Sequence, residues 1–320
     1  LICIKVRHVM IGQVGQAVTE VNGWPLFIPM AEKCHFQMRT ESMPNRIAYL
    51  PLNTFPEAAP DPAILAAVGF AASLGVGLHV STFAVDVPPT ASPISGFLIN
   101  VEGMARATEE RSKAECERLE ALIKGVAPPV GSLSFGKQTV MLGAALDAAT
   151  TEARNFDLAI LPWSAEAVSA QDMAQPLVFG AGLPVILVPP SAKVACVDHV
   201  AIAWDGGRVA ARALCDALPL LAAGGRVSVV TVQDEKSLGA SGIAQTLAAA
   251  LEKRGYLAKA VNITLDGLPI AQALQGAAIS QGAQLLAMGG FGHSRLRDFI
   301  LGGATKGVFS DLRLPVLLSH

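Results

Sequence analysis

From residue 43 onward the apolar positions follow two alternating rhythms. Short runs rich in Val, Ile and Leu are separated by longer stretches in which apolar residues recur three and four apart. The first rhythm marks strands buried on both faces, and the second marks helices with one buried stripe. The pattern predicts strands over 46–52 and 78–85 around a helix over 62–74, then an amphipathic helix over 104–124 with Cys116, Leu119 and Ile123 on one face. A short strand near 132–135, a helix over 140–154, a strand over 157–161, a short helix around 174–179 and a strand over 184–188 complete this half. The second half predicts strands over 199–204, 226–232, 258–264, 284–288 and 315–319, with helices over 209–222, 243–254, 269–281 and 296–309. Strict alternation of strand and helix argues for an α/β protein built on parallel strands.

The two halves also share wording. Asp157-Leu158-Ala159-Ile160-Leu161-Pro162 resembles Gln284-Leu285-Leu286-Ala287-Met288-Gly289, and Leu183-Pro184-Val185-Ile186-Leu187-Val188 resembles Leu314-Pro315-Val316-Leu317-Leu318-Ser319. A repeat with five strands can bury its own core, so it reads as two domains, over 43–190 and 195–320. Pro189-Pro190-Ser191-Ala192-Lys193 is the natural linker.

Residues 1–42 break the rhythm. Trp24, Phe27, Phe36, His8 and His35 follow neither period, and Met43 immediately precedes the first clean strand. We expect Met43 to be the natural start and 1–42 to be a non-native or disordered extension. A signal peptide is the alternative, but Gly12, Gln13, Gly15 and Gln16 interrupt its apolar core.

Composition narrows the function classes. The chain is 52% apolar and 16% charged, with a net charge of −2, as expected of a packed globular protein. No basic stripe interleaves with aromatics, which argues against nucleic acid as a partner. Mean hydropathy of +0.46 raises the question of a membrane. One long charge-free stretch, 173–192, carries Pro176, Pro184, Pro189 and Pro190, and no membrane-spanning helix is expected. Cys3, Cys34, Cys116, Cys196 and Cys215 are dispersed without metal spacing, which suits buried thiols in a reducing cytoplasm. Gly-x-Ser-x-Gly, a Walker A loop and a Gly-x-Gly-x-x-Gly fingerprint are all absent. Glu109, Glu110, Glu115, Glu117 and Glu120 read as a solvated helix face.

The strongest chemical signal follows the strand over 284–288. Gly289-Gly290-Phe291-Gly292, nine further residues, and then Gly302-Gly303-Ala304-Thr305 lead into a helix and a last strand. Glycines there let backbone N–H groups close on an anion, and a helix N-terminus adds a favourable dipole. Tight packing of the last helix on the sheet is the other reading of the same glycines.

This loop in this setting resembles that of the universal stress proteins, and the resemblance covers residues 43–320. It implies two tandem flavodoxin-like, adenine-nucleotide-hydrolase-like domains, each a five-stranded parallel sheet with helices on both faces. It also implies ATP or another adenine nucleotide at the C-terminal edge of the sheet. By resemblance the nucleotide contacts are Gly289, Gly292, Gly302, Gly303 and Ala304, with Asp205 at the adenine end and the Val232 backbone facing the base. Asp205 read alone is a turn residue, and Val232 read alone is a buried strand valine. Trp204 replaces a smaller residue common in the family; stacking on a ligand and filling part of the pocket both remain open. His293, Arg295 and Arg297 offer either charge near phosphate or a solvated helix face.

The family signature has Ser or Thr where this chain has Gly303. One lost hydrogen bond to a charged oxygen costs about 1.5–3 kcal/mol, so phosphate should be held roughly 10- to 100-fold less tightly. The first half has Asn53 in place of Asp205, and Pro162-Trp163-Ser164-Ala165 in place of the glycine loop. It is expected to bind no nucleotide in the family manner and to pair with the second half through its last strand, covering an apolar edge. The expectation is a cytoplasmic stress-response protein that binds nucleotide in its C-terminal half. It would act through conformation or a protein partner, with Mg²⁺ entering only with the nucleotide and homodimerisation open. A nucleotide-free scaffold and a slow ATPase are the alternatives.

Overall fold

The computed structural model describes residues 46–88, 101–126, 131–164, 168–233, 242–290 and 312–320. The chain separates into two units, Leu1–Ser42 and Met43–His320, and every described residue belongs to the second. The helix expected over 296–309, and with it Gly292, His293, Arg295, Arg297, Gly302, Gly303, Ala304 and Thr305, lies outside the described residues.

Ten strands alternate with helices as the hydrophobic pattern requires. The first half comprises β1 (Ile47–Asn53), α1 (Asp61–Leu74), β2 (Gly77–Asp86), α2 (Val101–Lys124), β3 (Leu133–Met141), α3 (Ala145–Ala153), β4 (Leu158–Pro162), α4 (Val168–Pro176) and β5 (Val185–Val188). The second comprises β6 (His199–Ala203), α5 (Arg208–Ala217), β7 (Arg226–Val232), α6 (Ile243–Lys253), β8 (Leu257–Ile263), α7 (Ile270–Ser280), β9 (Leu285–Gly289) and β10 (Val316–Ser319). Pro62 in the first turn of α1 loses no helical hydrogen bond, and Gly75 at φ +67° ends that helix in the left-handed conformation. Pro176 closes α4, and the chain continues through a wider turn, Leu177–Ala181, that ends at Gly182 with φ +75°.

Two five-stranded domains were expected to meet through the last strand of the first; the strands form one ten-stranded sheet of order β3-β2-β1-β4-β5-β10-β9-β6-β7-β8, in which β5 and β10 are neighbours. Every neighbouring pair is parallel except β5 with β10, which is antiparallel. The physical reason is the last strand of each half. Val185–Val188 and Val316–Ser319 are buried along their whole length, so neither could stand as a free edge. Their register puts Ile186 opposite Leu317, both in the core on the α1, α2, α5 and α6 face. Val185 and Leu187 lie opposite Leu318 and Val316 in the core on the α3, α4 and α7 face. Each core therefore runs unbroken across the seam. The connection at 189–198 joins the first of these, with Val197 buried and Ala192 and Val194 packed against it.

Antiparallel pairing at the seam has a geometric consequence. The C-terminal ends of β1–β4 and those of β6–β9 lie at opposite edges of the sheet. A small device recurs in the two halves: Asp157 Oδ2 accepts from Ile47 N, and Gln284 Oε1 accepts from His199 N, each at 2.8 Å. In both cases the residue just before the fourth strand of the half fixes the start of its first.

Between β1–β3 and α3 sits a cluster that the periodicity did not show. The fully buried Tyr49 hydroxyl donates to Glu152 Oε2 at 2.8 Å, and Gln138 Nε2 donates to the same oxygen at 2.9 Å. His79 stacks on Phe156, which also stacks on Tyr49, and its Nε2 lies 3.7 Å from Glu152 Oε1. Burial, with the Glu152 carboxylate beside it, holds the Tyr49 phenol far above its ordinary pKa. A folded-state pKa raised above the unfolded value gives stability that is complete below the unfolded pKa of 10.0 and is lost as pH rises past it. We expect this group to remove about 1.4 kcal/mol of stability per pH unit above pH 10. Denaturant melts of the wild type and Tyr49→Phe between pH 8.5 and 11.5 check this: the variant should fall less steeply, and equal slopes would contradict the assignment.

Candidate functional site

In the second half the strand order reverses between β6 and β9, because β7 and β8 extend one way from β6 while β9 and β10 extend the other. Ligands of open α/β sheets bind outside the carboxyl ends of the strands at such a point. Here those ends are Ala203, Val232 and Gly289, and the chain after β6 is the Trp204-Asp205-Gly206-Gly207 turn.

Hydrogen bonding holds that turn firmly. Trp204 N donates to Val230 O at 2.8 Å, and Thr231 Oγ1 donates to Trp204 O at 2.9 Å. The Trp204 ring is partly buried and packs against the core on the α5 face. Gly206 adopts φ +76°, a conformation that glycine takes without steric cost. Asp205 Oδ1 accepts from Gly207 N at 2.7 Å, and α5 begins at the next residue. The turn reading of Asp205 is therefore correct for this oxygen. Among the described residues its other oxygen, Oδ2, accepts no hydrogen bond, and the side chain is half-buried at the sheet edge. A carboxylate in that state can accept from a hydroxyl or amino group of a ligand.

Gly289 has a packing role that the sequence left open. A Cβ at this position would stand 2.6 Å from Val209 Cγ2 and 2.7 Å from the Val209 backbone carbon. No real Cβ tolerates such distances, so β9 and the first turn of α5 approach closely only because residue 289 lacks a side chain. Gly290 follows, its N–H donating to Ser319 O at 2.6 Å and its Cα facing Val178 of the first half. Val232 is a buried core valine of the α7 face, and the chain beyond it stays in the ladder through Gln233 N to Ile263 O at 2.9 Å. Asp205, Val232 and Gly289 thus share one edge of the sheet. Gly292, Gly302, Gly303 and Ala304 lie outside the described residues.

The corresponding edge of the first half is built differently. The Asn53 amide is used locally, with Nδ2 donating to Phe55 O at 2.5 Å and Oδ1 accepting from Phe55 N at 3.4 Å. Trp163, after β4, is buried and its backbone N–H donates to Val188 O at 2.8 Å. Among the described residues no group of three or more His, Cys, Asp or Glu side chains is arranged to hold a metal ion. No described helix is long and apolar enough to cross a membrane.

Residues 197–320 match the model of the universal stress protein family. The fold is similar to that of a universal stress protein from Archaeoglobus fulgidus DSM 4304, with 16% sequence identity and a TM-score of 0.55, covering 85% of this chain and 97% of that one. A putative universal stress protein from Pseudomonas aeruginosa UCBPP-PA14 matches at 14% identity over 86% of this chain and 93% of its own, with a TM-score of 0.41. No curated protein matches the sequence.

Proposed function

We propose that this chain is a cytoplasmic stress-response protein made of two universal stress protein repeats, of which the C-terminal one binds an adenine nucleotide. The protein acts through conformation or contacts with a protein partner rather than through catalysis. The observation that carries this reading is Asp205. Among the described residues its Oδ2 accepts no hydrogen bond, and it stands at the switch point between β6 and β9, beside the strand end from which the Gly289, Gly292, Gly302 spacing departs. The family match over 197–320 supports the same placement. Gly303, Ala304 and the Val232 backbone complete the proposed contacts, and Mg²⁺ would arrive with the phosphates. The scaffold reading draws on the Gly289–Val209 contact, which explains one signature glycine without any ligand.

Titration calorimetry with ATP, ADP and AMP on the full chain separates the two. Asp205→Asn keeps an oxygen for Gly207 N but replaces the open carboxylate oxygen with an amide donor. It should weaken nucleotide binding by about 10- to 100-fold, the equivalent of losing a charge-assisted hydrogen bond, while thermal stability stays near that of the wild type. Absence of binding heat at millimolar ATP in the wild type would favour the scaffold.

A further inference from the structure

At the opposite edge of the sheet the first half holds a cavity of about 360 Å³. That volume falls within the range of small-molecule sites. Phe83 and Val85 of β2 and Val140 of β3 form one wall, Ala145 and Leu146 of α3 form another, and Asn53 with Phe55 closes the end of β1. Met141 and Leu142, 60% and 47% exposed, stand at its rim. Exposed large apolar side chains grouped at the mouth of a cavity mark a surface that a ligand covers.

Several polar groups at and beside this cavity are engaged within the protein. Thr54 Oγ1 donates to Phe83 O at 2.6 Å, and the Ser112 hydroxyl, 2.7 Å from Thr54 Oγ1, accepts from Val85 N at 2.8 Å. Leu142 N is bound to Asp86 O and Ala144 N to Met141 O, and the Asn53 amide is committed to Phe55. Among the described residues lining the cavity the charged side chain is Asp172, and none is Lys, Arg or His. A phosphate or carboxylate placed there would face a carboxylate with no cation among the described lining residues to offset it.

We infer that this cavity binds an apolar small molecule that carries no anionic group. The inference does not rest on the nucleotide reading of the second half, since the two sites occupy opposite edges of the sheet. The mostly apolar lining makes shape and apolar contact the main source of affinity, and Asp172 selects for uncharged or singly cationic ligands.

Two probes that share one skeleton test this on the full chain. N-phenyl-1-naphthylamine is uncharged, and 8-anilinonaphthalene-1-sulfonate carries an anion. The uncharged probe should show saturable fluorescence enhancement at one site per chain. The sulfonate should bind at least about tenfold more weakly, the factor given by a repulsion of about 1.4 kcal/mol. Asp172→Lys should remove that difference. Val140→Trp, which fills the cavity from the strand side, should weaken the uncharged probe at least tenfold. Leu146→Trp fills it from the helix side and serves where the first variant melts early. Leu257→Ser, on β8 and 65% exposed, should change nothing. Non-saturable binding, an equal or tighter sulfonate, or an affinity that survives both tryptophans would overturn the assignment. So would a loss caused by Leu257→Ser, which would indicate adsorption to the surface.

Discussion

Leu317→Asp is expected to abolish cooperative folding near room temperature, or to lower stability by more than about 4 kcal/mol. Leu317 is fully buried on β10 and lies opposite Ile186 of β5 at the one antiparallel pairing in the sheet. A carboxylate there has no described cation to meet and must stay charged in an apolar layer or take up a proton, and both cost stability. The damage should reach beyond one strand. Loss of β10 would expose the edge of β5, whose four residues are all buried, and an open apolar edge invites pairing between chains. Light scattering should therefore rise with protein concentration in the variant. Leu317→Ala, which only leaves a cavity, should cost about 2–5 kcal/mol without that concentration dependence. A melting temperature for Leu317→Asp within a degree or two of the wild type would contradict the seam as described.

Gly289→Ala is expected to cost about 1–3 kcal/mol in the absence of any nucleotide, read as a drop of several degrees in melting temperature. The new methyl would meet Val209 Cγ2, Cβ and backbone carbon within 2.8 Å. Adding Val209→Ala removes the Cγ2 contact but leaves the other two, so the double variant should recover only part of the loss. This pair divides the two meanings of the glycine. If Gly289 served a ligand alone, the nucleotide-free protein would melt as the wild type does.

Much of the fold is legible in the sequence for a simple reason. Strands buried on both faces are short runs of Val, Ile and Leu, and few helical stretches look like them. β7 spans Arg226–Val232 as its apolar run indicates, and Pro62 and Gly75 mark the ends of α1. The expectation fails at β3. A strand near 132–135 and a helix from 140 were expected, whereas β3 runs through Leu133–Met141 and α3 begins at Ala145. β3 is an edge strand, so polar Lys137, Gln138 and Thr139 interrupt its apolar pattern. Val140 and Met141 then resemble the start of a helix. The helix expected around 174–179 lies within a longer helical stretch, because α4 runs Val168–Pro176 and continues as the wider π-type turns of Leu177–Ala181.

That the halves meet through the last strand of the first follows from the family resemblance, but the residues of the seam do not themselves show it. Val185–Val188 and Val316–Ser319 are so uniformly apolar that they specify burial but neither partner nor direction. In the candidate site, Asp205 stands out from its position after a strand, but its division of labour between a turn and an open oxygen needs coordinates. Gly289 reads the same way whether it serves a ligand or Val209, because close approach of backbone to anything calls for glycine. The Tyr49, His79 and Glu152 cluster and the cavity beside Asn53 join residues far apart in the chain, with no local motif to announce them.

The most direct test of the central claim is mass spectrometry of nucleotide released on denaturing the purified chain, with Gly292→Val as the control. The account predicts ATP, ADP or AMP at close to one per chain in the wild type and a loss of nucleotide in the variant. A wild-type protein that releases none, and whose melting temperature does not move with millimolar ATP, would contradict the nucleotide site and leave a scaffold in its place.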